Sequence, residues 1–166
     1  KWEAIEHLDQ YLLAFEQKIT QRGAKVIWAN DAAEALDAIG TICKQKHCTT
    51  LVKSKSMVTE EIHLNDFLAQ QGIESVETDL GEYIQQLDGE APYHIVTPAM
   101  HKSKEDVAKL FAEKLGTPAH LSPEELTLVA RKILREKYTA AEVGVTGANF
   151  IVADVGGIAI TENEGN

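Results

Sequence analysis

Apolar residues at Trp2, Ile5, Leu8, Leu12, Phe15 and Ile19 recur every three or four positions, the spacing that lines one face of a helix, and Arg22-Gly23 follows as a stop. The pattern predicts an amphipathic first helix over about residues 1–22. Lys25 to Ala29 is a short apolar run of strand type, after which Asn30 or Asp31 is placed to cap a helix carrying Ala33, Leu36, Ile39 and Ile42. A second run, Thr50 to Val52, leads into Lys53-Ser54-Lys55-Ser56. Thr59 is expected to cap the next helix, through Leu64, Phe67 and Leu68 to Gly72, with a strand over Ser75 to Thr78 and a short helix over Leu80 to Leu87.

Tyr93 to Thr97 reads as a further strand, ended by Pro98. Ser103 with Asp106 three residues on starts a helix through Val107, Leu110, Phe111 and Leu115. The strongest start signal is Ser122-Pro123-Glu124-Glu125, with a capping hydroxyl, Pro at the first helical position and Glu at the third; its helix should run to about Tyr138. Near the end, Phe150 to Ala153 and Ile158 to Ile160 read as strands joined through Asp154-Val155-Gly156-Gly157. Strands alternating with helices imply an α/β fold: a mainly parallel sheet with helices on both faces and a C-terminal antiparallel hairpin.

Composition narrows the class. A chain of 166 residues with 44% hydrophobic and 25% charged residues is sized for one domain with a proper core. Its formal charge of -10 and the lack of a Lys/Arg stripe with interleaved aromatics argue against nucleic-acid or anionic-membrane partners. No apolar run approaches the roughly 20 residues that span a bilayer, and no signal-peptide pattern opens the chain, so the expected compartment is the cytoplasm. Cys43 and Cys48 fit no paired zinc pattern and are expected as reduced thiols. Because the chain opens without Met inside a helical pattern and stops at Asn166 just after a strand, it is expected to be one domain truncated at both ends.

Ligands of parallel α/β sheets bind beyond the carboxyl ends of the strands, and the polar candidates collect there. Lys53, Ser54, Lys55 and Ser56 put two cations and two hydroxyls after a strand, a set suited to a carboxylate or phosphate, although such runs are ordinarily solvated loops. Glu77, Asp79 and Glu82 surround a strand-to-helix turn; capping is the reading for Asp79, while Glu77 is a candidate acid or base if it faces the cleft. Thr146, Gly147, Ala148 and Asn149 are small and polar, so backbone can approach a ligand closely. Glu162, Asn163 and Glu164 form a polar terminus in which a carboxylate could act as base or nucleophile and Asn could orient a substrate oxygen. The six histidines have no metal-ligand spacing, His101 alone following a strand end. The GxGxxG, GxxxxGK[ST] and GxSxG patterns are all missing, which removes support from dinucleotide, P-loop and hydrolase readings.

LVKSKSMVTEEIHLNDFLAQQGIESVETDLGEYIQQL, from Leu51 to Leu87, together with VGVTGANFIVADVGGIAITENEGN, resembles the LUD domain of lactate utilisation proteins, most of all the B-type iron-sulfur members. Where that family typically reads AETG after TGANF, this chain has Ala153-Asp154-Val155-Gly156, keeping an acid and a glycine and losing the hydroxyl. The resemblance implies a fold like that of the NagB, ribose-phosphate isomerase and CoA-transferase group. It also implies a part in oxidising L-lactate to pyruvate, beside A- and C-type subunits of a cytoplasmic system. The [4Fe-4S] clusters of B-type proteins belong to ferredoxin-like segments after the LUD domain, so no cofactor is expected within these residues.

On this reading a small carboxylate such as lactate or pyruvate sits near Lys53, Lys55 and Asn149, with Glu162 or Glu164 close to the reacting carbon. Asp154 and Asn163 are further motif members. Two alternatives stand beside it: a non-catalytic scaffold docking partner subunits, and a CoA-transferase-like acyl-binding domain with Glu162 as nucleophile.

Overall fold

The computed structural model describes residues 1–90 and 97–161; the expected strand at Tyr93 to Thr97, except Thr97 itself, and the candidates Glu162, Asn163 and Glu164 lie outside the described residues. At the centre is a three-stranded parallel sheet, ordered β2 (Glu74–Glu77), β1 (Thr50–Lys53), β3 (Val143–Val145). Its register sets Val52 beside Val76 and Gly144, and Lys53 beside Glu77 and Val145.

Alternate side chains of β1 serve opposite faces, as a strand requires. Val52 and Val76 pack with α6 (Leu80–Asp88), α7 (Lys104–Leu115) and α8 (Pro123–Ala140), around Ile84, Phe111, Leu126 and Leu134. Leu51 faces the other way, against α3 (Ala32–Gln45) and α5 (Leu64–Gln70), where Leu64 and Leu68 are fully buried. Each such leucine contributes about 1.5–3 kcal/mol on leaving water. The mainly parallel α/β sheet with helices on both faces is therefore present. The C-terminal hairpin pairs β4 (Phe150–Val152) with β5 (Gly157–Ala159), antiparallel and separate from the main sheet.

Helix starts follow their caps. Asp31 accepts from the Glu34 amide at 2.9 Å, and Ser103 and Ser122 both close reciprocal capping boxes. Four expectations change. The first helix is two, α1 (Trp2–Glu6) and α2 (Leu8–Gln21), broken at His7. Lys25 to Ala29 forms no strand: it pairs with no strand among the described residues, and Ile27 and Trp28 stay exposed. Ser56, not Thr59, caps the helix after β1, because α4 (Met57–Glu61) begins three residues earlier and ends before His63, whose φ of 55° resets the chain into α5. Val143–Val145 is a strand although Gly144 interrupts its apolar pattern.

The hairpin turn docks on α2. The Lys18 ammonium donates to the Asp154 carbonyl, Arg22 Nε donates to the Val155 carbonyl at 2.8 Å, and Gly156 packs directly on the α2 backbone. Gly156 has φ +61°, and a Cβ there would stand 2.5 Å from Ile19 N, so the turn needs glycine on both counts.

Candidate functional site

Strands β1 and β2 end side by side, and their last residues are charged: Lys53 and Glu77 are register partners. Their side chains close an ion pair of 2.9 Å with 1% and 7% side-chain exposure. Glu77 Oε1 also accepts from Asn65 Nδ2 at 2.8 Å, and Asn65 Oδ1 accepts from the Ser75 hydroxyl at 2.5 Å, so α5 and β2 both hold the carboxylate in place. The Glu77 amide donates to Gln86 Oε1 at 3.0 Å. Two charges removed from water persist only with a close partner and hydrogen bonds that hold them in place.

A second carboxyl joins the pair. Asp79 caps α6 by accepting from the Glu82 amide at 3.1 Å, the role expected of it, and this places Glu82 in the first turn beside Glu77. Glu82 is 2% exposed. Burial first, then the charge and hydrogen bond of Glu77, push its carboxyl up to about 8, against the opposing pull of Lys53. Two buried carboxyls thus share one buried ammonium.

Beyond the strand ends, the loops after β1 and β3 meet. The buried Ser54 hydroxyl donates to Thr146 Oγ1 at 2.9 Å, and its amide donates to the Val145 carbonyl at 3.0 Å. These contacts leave a cleft of about 500 Å³ lined by Lys55, Ser56, Thr59, Thr146, Gly147 and Asn149. A second cleft of about 530 Å³ opens on the other side of Lys55, against Asp79, Gly81, Pro98 and Met100. The half-buried Lys55 is therefore the cation common to both.

The candidates fall into three groups. Lys55, Ser56, Thr146, Gly147 and Asn149 line one cleft, with Ser54 supporting it from below. Lys53 and Glu77 are buried and line neither of these two clefts; they neutralise one another. Asp154 is elsewhere, in the hairpin turn on α2, while Asn149 is at the hairpin's other end, its Oδ1 accepting from the Thr161 amide at 2.7 Å. His101 is on the surface, its Nε2 2.9 Å from Glu90 Oε2.

Asn65 and Glu82 are part of the constellation: Glu82 is one of the three carboxylates that the sequence places around the strand-to-helix turn, whereas Asn65 carries no role in the sequence reading. The Asp-x-x-Glu spacing at Asp79 to Glu82 is the available signal, but that spacing is already accounted for as a helix start. Among the described residues, no three His, Cys, Asp or Glu side chains gather to hold a metal ion, and no helix is long and apolar enough to cross a membrane.

Comparison with known proteins places this arrangement. The family model described as the LUD domain matches residues 12–166. Lactate utilization protein B of Geobacillus sp. (strain WCH70) is 48% identical over 163 residues, 98% of this chain and 34% of that protein. Lactate utilization protein B of Bacillus subtilis (strain 168) is 47% identical over the same shares. The chain thus spans about a third of the length of the curated relatives it matches. No solved structure matches it significantly. With a family match running from the second helix to the last residue, the chain belongs to the LUD domain family.

Proposed function

We propose that this domain serves lactate utilisation by binding a small hydroxy- or keto-carboxylate, such as lactate or pyruvate, in the cleft between the β1 and β3 loops. The observation that supports it is the meeting of two distant polar loops around one cleft with Lys55 as its cation. A carboxylate fits that setting: Lys55 supplies charge, Ser56, Thr146 and Asn149 supply polar groups, and Gly147 keeps the wall low. Lys53 acts indirectly, by fixing the end of β1.

In this reading the domain is one part of a cytoplasmic system that oxidises L-lactate to pyruvate with A- and C-type partner subunits. Oxidation needs a base for the hydroxyl proton, a role assigned on sequence grounds to Glu162 or Glu164, and an acceptor for two electrons. A [4Fe-4S] cluster takes four cysteine ligands, whereas this chain has two cysteines, both buried against α3 and α5; its residues do not fit a cluster. Electron transfer is accordingly assigned to other parts of the system.

Amide shifts of the labelled chain, followed by NMR during titration with L-lactate, pyruvate and a CoA ester, test the proposal. Saturating shifts for lactate or pyruvate at Lys55, Ser56 and Thr146 to Asn149, lost in Lys55→Ala, are expected. No response to either acid would overturn it, and a response to the CoA ester alone would favour acyl transfer.

A docking scaffold for partner subunits has its own support. Phe150, Ile151 and Ile158 are 65%, 52% and 49% exposed on a hairpin that is firmly mounted on α2.

A further inference from the structure

We propose that the second cleft beside Lys55 takes the apolar tail of an α-keto or α-hydroxy acid longer than lactate and pyruvate, with the carboxylate of that acid held on Lys55. The tail pocket rests on reading Lys55 as the anchor of a carboxylate, and it extends that site to the larger acids it can select.

The two clefts that meet at Lys55 differ in chemistry. The one between the β1 and β3 loops carries the hydroxyls of Ser56, Thr59 and Thr146 and the Asn149 amide, groups suited to a carboxylate and the oxygen beside it. The other, of about 530 Å³, is walled by Leu80, Ile84, Pro98, Ala99 and Met100, with Asp79 and Thr97 completing it. Asp79 is 5% exposed and already accepts from the Glu82 amide at 3.1 Å, so this cleft offers a ligand mainly carbon. A three-carbon acid held on the polar side leaves that space unfilled, whereas ligand sites of this size ordinarily enclose a larger molecule.

The apolar walls are held in place from both sides. One is the start of α6, where Ile84 belongs to the core packed on the sheet. The other is the turn from Thr97 to Met100, closed by the Met100 amide donating to the Thr97 carbonyl at 3.3 Å. Gln85, 1% exposed, donates from Nε2 to the Pro98 carbonyl at 2.7 Å and ties that turn to α6. Gly81 keeps the two apart without filling the space between: a Cβ there would stand 3.2 Å from Pro98 Cβ.

Charge sets the orientation of the ligand. Lys53 is spent on Glu77, whereas Lys55 lines both clefts and makes no ion pair among the described residues. Asp79, the acidic group of the apolar cleft, disfavours a carboxylate inside it, so the tail enters there and the carboxylate stays at the lysine.

The test is calorimetric titration of the chain with pyruvate and its straight-chain homologues up to 2-oxohexanoate, together with 15N amide shifts. 2-Hexanone serves as the uncharged counterpart of the longest acid. Affinity is expected to rise about fourfold per buried methylene. The Gly147 and Asn149 amides should move for every acid, and those of Gly81, Ala99 and Met100 for the longer ones alone. Lys55→Ala should weaken the whole series by about tenfold or more, and Met100→Ser, at a position 55% exposed, should lessen the gain per methylene. Equal affinity across the series, with shifts confined to Thr146 to Asn149, overturns the tail pocket and leaves the small-carboxylate reading standing. Equal binding of 2-hexanone and 2-oxohexanoate also overturns it, since no charge then orients the tail. Binding of the longer acids at Gly81, Ala99 and Met100 with no response to pyruvate upholds the pocket and overturns the three-carbon reading. Silence from every acid overturns both.

Discussion

Replacing Lys53 by Met removes a buried ammonium while nearly preserving the volume of its stem, and the consequence follows from what remains. Glu77 loses a contact of 2.9 Å at a site with 7% side-chain exposure, leaving its carboxylate, among the described residues, with the Asn65 amide as its side-chain donor. Breaking a buried pair from one side typically costs about 3–5 kcal/mol, because the surviving charge stays desolvated. For a domain of this size each kcal/mol moves the melting temperature by roughly 2–4 °C, so a fall of about 6–20 °C is expected. Urea unfolding should show a lower midpoint with unchanged slope. Adding Glu77→Gln to Lys53→Met removes the orphaned charge and should recover part of the loss. A Lys53→Met variant within about 1 kcal/mol of the wild type at pH 8 would show that the ion pair is not the constraint described.

Gly156→Ala forces a Cβ into the α2 backbone at a positive φ, and is expected to cost about 2–5 kcal/mol from the left-handed conformation and the overlap together, measured by urea unfolding, with faster amide exchange in β4 and β5. Ser122→Ala removes the cap and one half of the capping box of α8, for a loss of about 1 kcal/mol that Ser122→Thr should largely restore. Burial pushes the Cys48 thiol up to about 11, so iodoacetamide at pH 8 should label it slowly in the folded chain and rapidly in urea; equal rates would contradict the packing against α3 and α5.

Much of the fold is legible in the sequence because it is written locally. Asp31, Asp79, Ser103 and Ser122 cap helices where hydroxyl or carboxylate residues precede apolar periodicity. Strand β1 appears as an apolar run because it is buried on both faces. Strand β3 does not, since three residues centred on Gly144 gain their extended form from pairing with β1 rather than from propensity. The reverse holds for Lys25 to Ala29, an apolar run with no partner strand among the described residues. At the site, the Lys53 to Ser56 loop is placed by its position after β1, whereas its meeting with Thr146 to Asn149 depends on β3 and is not written locally. The neutralisation of Lys53 by Glu77 is not, because a lysine in a polar tetrapeptide gives no sign of its burial; only β1–β2 register places the two together. Glu82 is visible as one of three carboxylates around a strand-to-helix turn, but its burial is not.

The Ser54–Thr146 hydrogen bond joins residues 92 positions apart, while β1 and β2 pair across a much shorter loop. Closing the longer loop costs more chain entropy, and contacts of that separation form late in folding. The β1–β2 unit, with Lys53 and Glu77 already opposed, is therefore expected to assemble before β3 arrives, and β3 is the strand whose release first opens the sheet. The cleft has no wall until that last strand docks. A ligand held between the two loops would bind only the fully closed chain, and would slow unfolding by holding in place the element that is added last.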